Sequence, residues 1–559
     1  MILGIDLGTT NSSCAFYESG ESSVIPNDRG NRVTPSIVSF SPSGEILVGE
    51  AAKNQAVLNA EGTVRGVKRL MGTGRNIRIG NRSCSPDEIS AYILAKLKKD
   101  AEAYLGRRVE EAVITVPAYF TENQRRATRR AGALAGLSVR RIINEPTSAG
   151  LATAPDLPET CTFLVYDLGG GTFDVSVMKK KGDDLVVCST AGDNHFGGTD
   201  FDEVILEQIR RSFNEQAGME ITSDSAVLQQ LTDLAERAKI ELSSREDTTV
   251  ALPFVRAGEK SLHLSYSLTR KKFSDMIQPM IDTSKRLTLR AVADAGLNPS
   301  SIEYIVFSGG SSRVPAVRAS VLGLFSARVA ARAHPEEVVA CGAAIQAHML
   351  LHRSGGKTLR DITPLPLGVA SEHDGFFSII GKNTPVPVRK RQVFTTVADG
   401  QEAVEIHVLQ GLSRRASKNH SLGKFQLFGI QEAGEGVPRI EIVFSIDEDG
   451  ILNVQARDGT TGAFQDISIA EPGTVGNPEG GKAGDRRLER LIARTEKLYA
   501  ASRNRLDTQF SAEIHDILVS CKNAAGRGNE QRRGECLVAL ETIICELESI
   551  LKEKELKDA

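Results

Sequence analysis

Two short stretches of this sequence repeat one order of residue types, and they constrain the fold more than any other feature. The stretch "GIDLGTTNS" runs from Gly4 to Ser12, and "VYDLGGGTFD" runs from Val165 to Asp174. In each, an apolar run leads to Asp, Leu, Gly, further small residues and Thr. Glycine permits positive φ and lets a ligand approach the backbone without meeting a Cβ. We therefore predict two similar halves, with both turns around one cleft at the carboxyl ends of their strands.

The residues in these turns suit one kind of ligand. Successive backbone N–H groups in such a turn point into one concavity and bind phosphate oxygens. The aspartate that ends the preceding strand faces the same anion, and the two negative groups are stable together only with a divalent cation between them. Mg²⁺, which retains part of its water shell, fits that role. A pair of ordinary tight turns is the alternative, but two matched turns, each led by Asp and closed by Thr, favour phosphate. We predict phosphate binding at both turns, with Asp6 and Asp167 directed at the metal.

A third glycine-rich turn, "GGSSRVP" at 309–315, carries no acidic residue. Its glycine pair leaves room for a flat nucleobase or ribose, and Arg313 is available to stack on that group. Gly-Gly-Ser-Ser is also ordinary loop composition, so this turn alone stays open to both interpretations.

Composition and charge exclude several classes of partner. The 559 residues are 40% hydrophobic and 25% charged, and a formal net charge of -3 gives no electrostatic reason to expect nucleic acid or an anionic membrane. The 8 cysteines are scattered without a C-x-x-C pair, which argues against zinc or a disulfide framework and favours a reducing compartment. The N-terminal residues leave no room for a signal peptide, and no apolar stretch approaches the length of a membrane helix. We expect a cytoplasmic protein that binds neither nucleic acid nor membrane.

The pattern of residues changes along the chain and predicts several domains. Up to about Gly355, short apolar strands alternate with helical segments, which is typical of α/β layering. Short alternating runs then predict an all-β module, and apolar residues at helical spacing near the C-terminus predict a small bundle. The bundle residues that share helix faces are Leu488, Leu491, Ile492, Thr495 and Leu498, then Ile514, Ile517, Leu518 and Cys521, and then Leu537, Leu540, Ile544, Leu547 and Leu551. The predicted segments are an α/β domain at 1–356, a linker at 357–363, a β-sandwich at 364–470, a flexible Gly-rich segment at 471–485 and a helical segment at 486–559.

With these features in place, the chain resembles the DnaK family of heat-shock chaperones, the heat shock protein 70 family. The resemblance covers about residues 2–470 and is most specific in the first 320. The motifs that carry it, in order, are "GIDLGTTNS", "VITVPAYF", "RIINEPTSAG", "VYDLGGGTFDVSV", "GDNHFGGTDFD", "AERAKIELSS", "GGSSRVP" and "DEDGILNVQARD". It implies a multidomain fold: an α/β actin-like two-lobed ATPase domain, then an all-β peptide-binding sandwich and a short α-helical lid.

The resemblance assigns the chemistry of ATP hydrolysis to individual residues. Phosphoryl transfer to water needs positioning and charge neutralisation more than covalent chemistry. Lys68 would reach the γ-phosphate and position the attacking water, since lysine is a compact donor. The implied catalytic residues are Lys68, Glu145, Asp167 and Thr172. A hydrated Mg²⁺ would lie among Asp6, Glu145 and Asp167, and potassium would lie at Asp6 and Asp174.

The remaining contacts of ATP or ADP follow from the same resemblance. Glu336 stands where the family usually has Asp, a change that preserves hydrogen bonding. The implied nucleotide-binding residues are Thr9, Thr10, Asn11, Gly169, Gly170, Gly171, Gly197, Gly198, Glu236, Lys239, Ser243, Gly309, Gly310, Ser311, Arg313 and Glu336.

Other positions correspond to coupling, partner and peptide sites of the family. An extended apolar peptide would bind the sandwich through backbone hydrogen bonds, with one side chain buried in a pocket. The same alternating residues could simply form the sandwich core. The implied allosteric residues are Pro117, Arg125, Leu359 and Asp361. The positions that meet a J-domain co-chaperone are Arg141 and Asn144. The peptide-binding positions are Val369, Ser371, Phe394, Val404 and Ile406.

The linker departs from the family pattern, which is a run of leucines before Asp. Here "KTLRD" at 357–361 places Lys357 and Arg360 at two apolar positions. Docking of the linker on the ATPase domain would then bury less apolar surface, and the lost burial costs about 25 cal/mol for each Å². This change predicts weaker or differently timed coupling between the domains.

The groove and the lid depart from the pattern as well. In "SEHDGFF" at 371–377, Glu372 or His373 takes the place of an apolar arch residue and predicts a more open or more polar groove. The chain between Gly72 and Pro86 is shorter than in the long bacterial members of the family. The Gly-rich segment takes the place of the first lid helix. These features resemble the shorter, HscC-type bacterial members of the family.

The sequence as a whole predicts an ATP-dependent molecular chaperone, an ATP hydrolase that binds extended apolar segments of unfolded or client proteins. A specialised client-binding ATPase with weakened interdomain coupling is the first alternative. An actin-like small-molecule kinase or a filament protein would not need the appended β module. The expected partners of this monomer are client polypeptides, a J-domain co-chaperone and a nucleotide exchange factor.

Overall fold

The computed structural model of the chain describes most of its first 470 residues. The described ranges are 1–79, 82–217, 225–257, 260–330, 334–352, 358–430, 432–459 and 464–468, with nine further residues between 492 and 540. Residues Met1–Pro472 form one compact unit and Gly473–Ala559 form a second. Lys357 and the predicted Gly-rich segment lie outside the described residues.

Two sheets of the same design form the α/β part of the first unit. In each, a central strand runs parallel to one neighbour and antiparallel to the other, which follows it through an Asp-led turn. The first sheet contains Ser138–Asn144, Glu111–Val116, Ile2–Asp6, Asn11–Glu18 and Glu21–Ile25 in that order, and Thr34–Pro35 pairs with Asn11–Glu18. The second contains Arg328–Val329, Tyr304–Ser308, Thr160–Leu168, Phe173–Lys181, Asp184–Asp193 and Leu359–Arg360 in that order.

Helices and small sheets surround these two sheets. Their N-termini follow local signals: Ser85 with Glu88 and Thr121 with Gln124 form capping boxes, which satisfy otherwise unpaired backbone N–H groups. The helices are Glu50–Gln55, Pro86–Leu105, Glu122–Leu134, Glu145–Thr153, Gly198–Ala217, Ser225–Leu242, Arg270–Asp294, Pro315–Leu322 and Val338–His352. The small sheets are Ile37–Phe40 with Ile46–Val48 and Thr63–Arg65, Ile77–Ile79 with Arg82–Cys84, and Asp247–Ala257 with Lys260–Thr269.

Small residues let helix Val338–His352 lie directly on the first sheet and on helix Glu145–Thr153. A Cβ at Gly4 would lie 2.2 Å from the backbone N of Ala344, and one at Gly342 would lie 1.8 Å from the backbone O of Ser148. Either contact is too close for any side chain, so glycine is required at both positions. This packing fixes Glu145, the first residue of its helix, beside the end of strand Ile2–Asp6.

The sandwich consists of two four-stranded antiparallel sheets. Their inner faces pack buried aliphatic residues such as Val369, Ile406, Ile442 and Val454 against one another. One sheet contains Gly375–Ile380, Leu367–Ser371, Ala403–Gln410 and His420–Phe428. The other contains Val388–Phe394, Ile440–Ile446, Leu452–Asp458 and Phe464–Ser468.

The described residues of the second unit are all helical. All of them except Tyr499 coincide with positions at which the apolar spacing predicts helix, and most of their side chains are buried. They are Ile492, Thr495, Leu498, Tyr499, Ile514, Ile517, Leu518, Cys521 and Leu540. Across the described part of the chain, no helix has the length and apolar character that crossing a membrane would need.

Candidate functional site

Both Asp-led turns open into one cavity of about 590 Å³ between the two sheets. That volume lies within the range of ordinary ligand pockets, roughly 300–1,000 Å³. The third glycine-rich turn lines the same cavity, so three turns far apart in sequence converge. The predicted residues in its wall are Asp6, Thr9, Thr10, Asn11, Lys68, Glu145, Asp167, Gly169, Gly170, Thr172, Glu236, Lys239, Ser243, Gly309, Gly310, Ser311, Arg313 and Glu336.

Four carboxylates gather at one end of the cavity. Burial and the nearby Glu145 carboxylate raise the pKa of Asp6 to about 7 and that of Asp174 to about 8. Burial, followed by the charges of Glu145, Asp174 and Asp6, also raises the pKa of Asp167 well above its usual value. Carboxylates held this close repel one another when ionised, so the cluster needs a compensating cation.

Lys68 supplies part of that positive charge. It lies in a short 3-10 turn, Val67–Leu70, is buried, and forms an ion pair with Glu145. Its Nζ also lies 5.8 Å above the ring centroid of Phe120. Its sequence context alone would suggest a solvated surface lysine. In the structure the side chain is instead fixed at the cavity wall.

Asp174 lies behind the cavity rather than in its wall. Its carboxylate accepts a hydrogen bond of 3.3 Å from the backbone N–H of Tyr119. Asp6 accepts one of 3.2 Å from the hydroxyl of Thr115. Thr115 and Tyr119 flank Pro117 at the end of strand Glu111–Val116, so this segment contacts two carboxylates of the cluster. Thr115 is a site residue that the sequence did not reveal.

Three predicted glycines support the turns from outside the cavity wall. The N–H of Gly198 donates to the carbonyl of Gly169 at 2.9 Å, and a Cβ at Gly197 would lie 2.7 Å from the backbone of Gly170 and Gly171. At Gly171 a Cβ would lie 2.5 Å from the side chain of Thr9. These glycines allow the two turns and the segment 197–198 to pack closely.

A paired substitution at the third turn tests this close packing. Gly309 has φ 77°, and a Cβ there would lie 2.3 Å from the carbonyl oxygen of Leu168. A Cβ at the adjacent Gly310 would lie 3.3 Å from the flexible end of Glu336. We expect Gly309→Ala to lower the free energy of unfolding by at least about 2 kcal/mol through backbone strain, and Gly310→Ala by about 1 kcal/mol or less. Denaturant unfolding without nucleotide measures both; equal stability of the two variants would contradict this account.

Two ion pairs lie beside the cavity wall at Glu236. Lys53 pairs with Glu236 at 3.0 Å, and Arg65 pairs with Asp233 at 2.8 Å. Both pairs join a part of the chain near the first sheet to helix Ser225–Leu242. The positive neighbours Lys53, Lys239 and Arg65 hold the pKa of Glu236 below its usual value despite burial. The sequence gives no signal for these pairs because the partners are about 170 or more residues apart.

The predicted base-stacking residue is held by neighbours. Arg313 Nη2 lies 3.1 Å from Nε2 of His334 and 3.4 Å from a carboxylate oxygen of Glu336. Arg318 also lines the cavity, with its guanidinium carbon 4.6 Å from the ring centroid of Phe307. Both arginines are positioned beside the third turn.

Hydrogen bonds connect the predicted allosteric residues. Arg125 is buried and donates to the carbonyl of Ala118 at 3.3 Å and to the side chain of Asn144. Asn144 and Thr147 each donate to one carboxylate oxygen of Asp361 at 2.9 Å. Because Ala118 adjoins Tyr119, which contacts Asp174, this network joins the carboxylate cluster to the linker.

The linker adds a strand to the second sheet. Leu359 pairs with Leu185 and Arg360 with Val186, in parallel. Leu359 packs against two apolar clusters, whereas the side chain of Arg360 is exposed. The burial loss predicted at Arg360 does not arise in this arrangement, because backbone pairing rather than side-chain burial holds that residue.

Helix Glu122–Leu134 contacts the sandwich directly. Arg129 pairs with Asp449, Arg126 donates to the carbonyl of Leu452, and the N–H of Glu122 donates to the side chain of Gln410 at 3.3 Å. The sequence predicts this segment as a helix but does not indicate its partners.

The two predicted co-chaperone residues lie near the same contact. Arg141 donates to the backbone carbonyl of Glu448 at 3.2 Å, and Asn144 is buried in the Asp361 network. In this arrangement both side chains are engaged within the chain.

The predicted peptide-binding residues differ in burial along their strands. Val369 and Ile406 are buried in the sandwich core, where Phe394 and Val404 are partly buried against it. Ser371 is exposed at the end of its strand. The core alternative therefore describes the positions of Val369 and Ile406.

The hairpin tip at the predicted arch is tightly held. His373 and Asp374 have φ of 56° and 60°. The carboxylate of Asp374 accepts bonds of 2.7 Å from both the N–H and the hydroxyl of Ser417. Glu372 and His373 are exposed at this tip.

A protein-family model matches almost the whole chain. It is the model described as Hsp70 protein, and it aligns with residues 2–78 and 74–558. The match includes the three turns, the linker, the sandwich and the C-terminal segment.

Proposed function

This chain belongs to the Hsp70 family, and on that premise we propose that it is an ATP-dependent chaperone in which ATP hydrolysis controls the affinity for extended apolar segments of client proteins. Members of the family hydrolyse ATP and act in protein folding and the response to stress. The observation that carries the proposal is the convergence of three glycine-rich turns, Lys68 and the carboxylates of Asp6, Glu145 and Asp167 on one cavity.

The carboxylate cluster fits a hydrated magnesium ion. Its donors are hard oxygens, and burial together with mutual repulsion raises the pKa values of Asp6 and Asp167, which supports a site for a compensating cation. Among the described residues, no group of three or more His, Cys, Asp or Glu side chains is arranged to bind a metal directly, and Mg²⁺ is an ion that usually keeps several of its water ligands. The residues that would hold it are Asp6, Glu145 and Asp167, and Asp6 with Asp174 would hold a potassium ion. When bound, Mg²⁺ would neutralise phosphate charge.

The chain's own residues would orient the nucleotide and the water. Backbone N–H groups of the two Asp-led turns would bind phosphate oxygens, and Thr172 would add a hydroxyl donor. Lys68, fixed by Glu145, would position the attacking water at the γ-phosphate. Glu236, Lys239 and the third turn would hold the adenosine end. Catalysis of this kind depends on positioning and fixed charge.

The sandwich and its contacts favour a chaperone over a small-molecule kinase. Backbone pairing at Leu359 joins the linker to the sheet that carries Asp167, and the Asp361 network joins it to Asn144 at the end of a strand of the first sheet. A kinase would have no use for such a link. We therefore favour a cycle in which the nucleotide state alters the sandwich.

Two finer assignments rest on the sequence. The short 72–86 segment favours the HscC type of bacterial member, and the polar hairpin tip at Glu372 favours a client segment with polar residues beside its apolar centre. The proposal of weakened coupling between the domains rests on Lys357 alone, because the side chain of Arg360 is exposed.

ATP titration and single-turnover hydrolysis test the proposal. We expect the full-length protein to bind ATP with Mg²⁺ and to hydrolyse it, and we expect an extended apolar peptide to accelerate hydrolysis. Omission of Mg²⁺ should weaken binding, since the carboxylate cluster then faces the phosphates uncompensated. Failure to bind ATP with Mg²⁺ would refute the nucleotide site. Hydrolysis that no member of a peptide library accelerates would favour the weakly coupled ATPase.

A further inference from the structure

Two histidines lie one turn apart at the end of helix Val338–His352. The ring centroids of His348 and His352 are 4.3 Å apart, and the ring planes are tilted by 42°. Tyr17, on strand Asn11–Glu18, lies on the other side of His348 with its ring centroid 4.3 Å away. His348 is half-buried and His352 is exposed, so solvent reaches the pair. The proposed nucleotide site uses none of these side chains.

Histidines at positions i and i+4 of a helix can bind one metal ion together. Their side chains leave the helix on one face, which is the spacing that zinc-binding helices use. Zinc–nitrogen bonds are about 2.0–2.1 Å, so two coordinating nitrogens lie at most about 4 Å apart. The two rings are neighbours, with centroids 4.3 Å apart, and rotation of the exposed His352 ring would direct one nitrogen of each imidazole at a shared ion.

We propose that His348 and His352 form a surface site for one borderline transition-metal ion of the Zn²⁺, Ni²⁺ or Cu²⁺ class, with water completing its coordination. Imidazole nitrogen favours these ions over Mg²⁺, which prefers oxygen donors. The site is thus chemically distinct from the carboxylate cluster.

The location of the pair gives metal binding a structural consequence. His352 is the last residue of its helix, and Leu359 of the docked linker follows seven residues later. A metal bridging i and i+4 cross-links the last turn, and an ion that binds the folded helix stabilises it. Bound metal should therefore fix the turn from which the chain leaves toward the linker.

Calorimetric titration of the tag-free, full-length, nucleotide-free protein tests the site. Zn²⁺ and Ni²⁺ are the probes, with Mg²⁺ as the comparison ion. The variants are His348→Ala and His352→Ala, and His263→Ala, an exposed histidine on a β-strand, is the matched control. We expect one ion per chain, an affinity at least tenfold weaker in both site variants, and unchanged affinity in the control.

Thermal melting gives an independent readout. Zn²⁺ should raise the melting temperature of the wild type and of His263→Ala but not of His352→Ala. Because His352 is exposed at a helix end, its replacement should leave the fold intact without metal. Equal affinities in wild type and both site variants, or no Zn²⁺ binding at all, would overturn the proposal and leave the rings as a stacked pair only.

Discussion

Replacing Lys68 by methionine is expected to lower single-turnover ATP hydrolysis by a factor of about 10² to 10³, the usual effect of removing one preorganised donor from a charged transition state. Methionine keeps much of the side-chain volume and removes the charge that Lys68 directs at Glu145. Because the turns and the third glycine loop remain, ATP binding should change far less than hydrolysis. Rapid-quench assays and fluorescent-nucleotide titration measure the two quantities separately.

Lys271→Met is the matched control for that experiment. Lys271 forms an exposed ion pair with Asp275 on helix Arg270–Asp294, away from the cavity. Its hydrolysis rate should equal that of the wild type. If Lys68→Met binds ATP and hydrolyses it at more than about a tenth of the wild-type rate, a smaller loss than such donors usually cause, Lys68 does not position the reacting groups.

Replacing Asp361 by alanine is expected to abolish most of the acceleration of ATP hydrolysis by peptide. The change leaves the donors of Asn144 and Thr147, both buried, without their acceptor. An unsatisfied buried donor costs about 1–3 kcal/mol, which would lower the population of the docked linker by roughly tenfold or more. Steady-state ATP turnover with and without a saturating apolar peptide measures the ratio.

Asp282→Ala controls for the loss of an aspartate. Asp282 is exposed on helix Arg270–Asp294 and contacts Gln278 within the same helix. This variant should keep the full peptide effect. A full peptide effect in Asp361→Ala, with melting behaviour like the wild type, would show that coupling does not pass through this network.

Local patterns explain why so many residues of the cavity wall could be named from the sequence. An Asp, a glycine turn and a Thr lie within a few residues of one another, so the sequence shows the whole phosphate-binding unit. The same holds for the capping boxes at Ser85 and Thr121, whose partners are three residues away. Alternation along a strand, by contrast, predicts two faces without saying which one is buried. For that reason Val369 and Ile406 could be placed on strands, but their burial in the core could not be predicted.

Contacts between distant segments could not be predicted from the sequence. Lys68 and Glu145 are 77 residues apart, and Thr115 and Asp6 are 109 apart. The role of Arg360 depends on a backbone pairing with Val186, which no property of the arginine indicates. The ion pair of Arg129 with Asp449 depends on how the sandwich lies against its helix.

Residues that are neighbours along the chain were enough to predict the two Asp-led turns, the order of α/β, β and helical segments and the family. Only the tertiary structure decided which charges share the cavity, which strand faces are buried and how the linker joins the second sheet. The physical reason is distance: hydrogen bonds and ion pairs form over about 3 Å in space, whatever the separation along the chain.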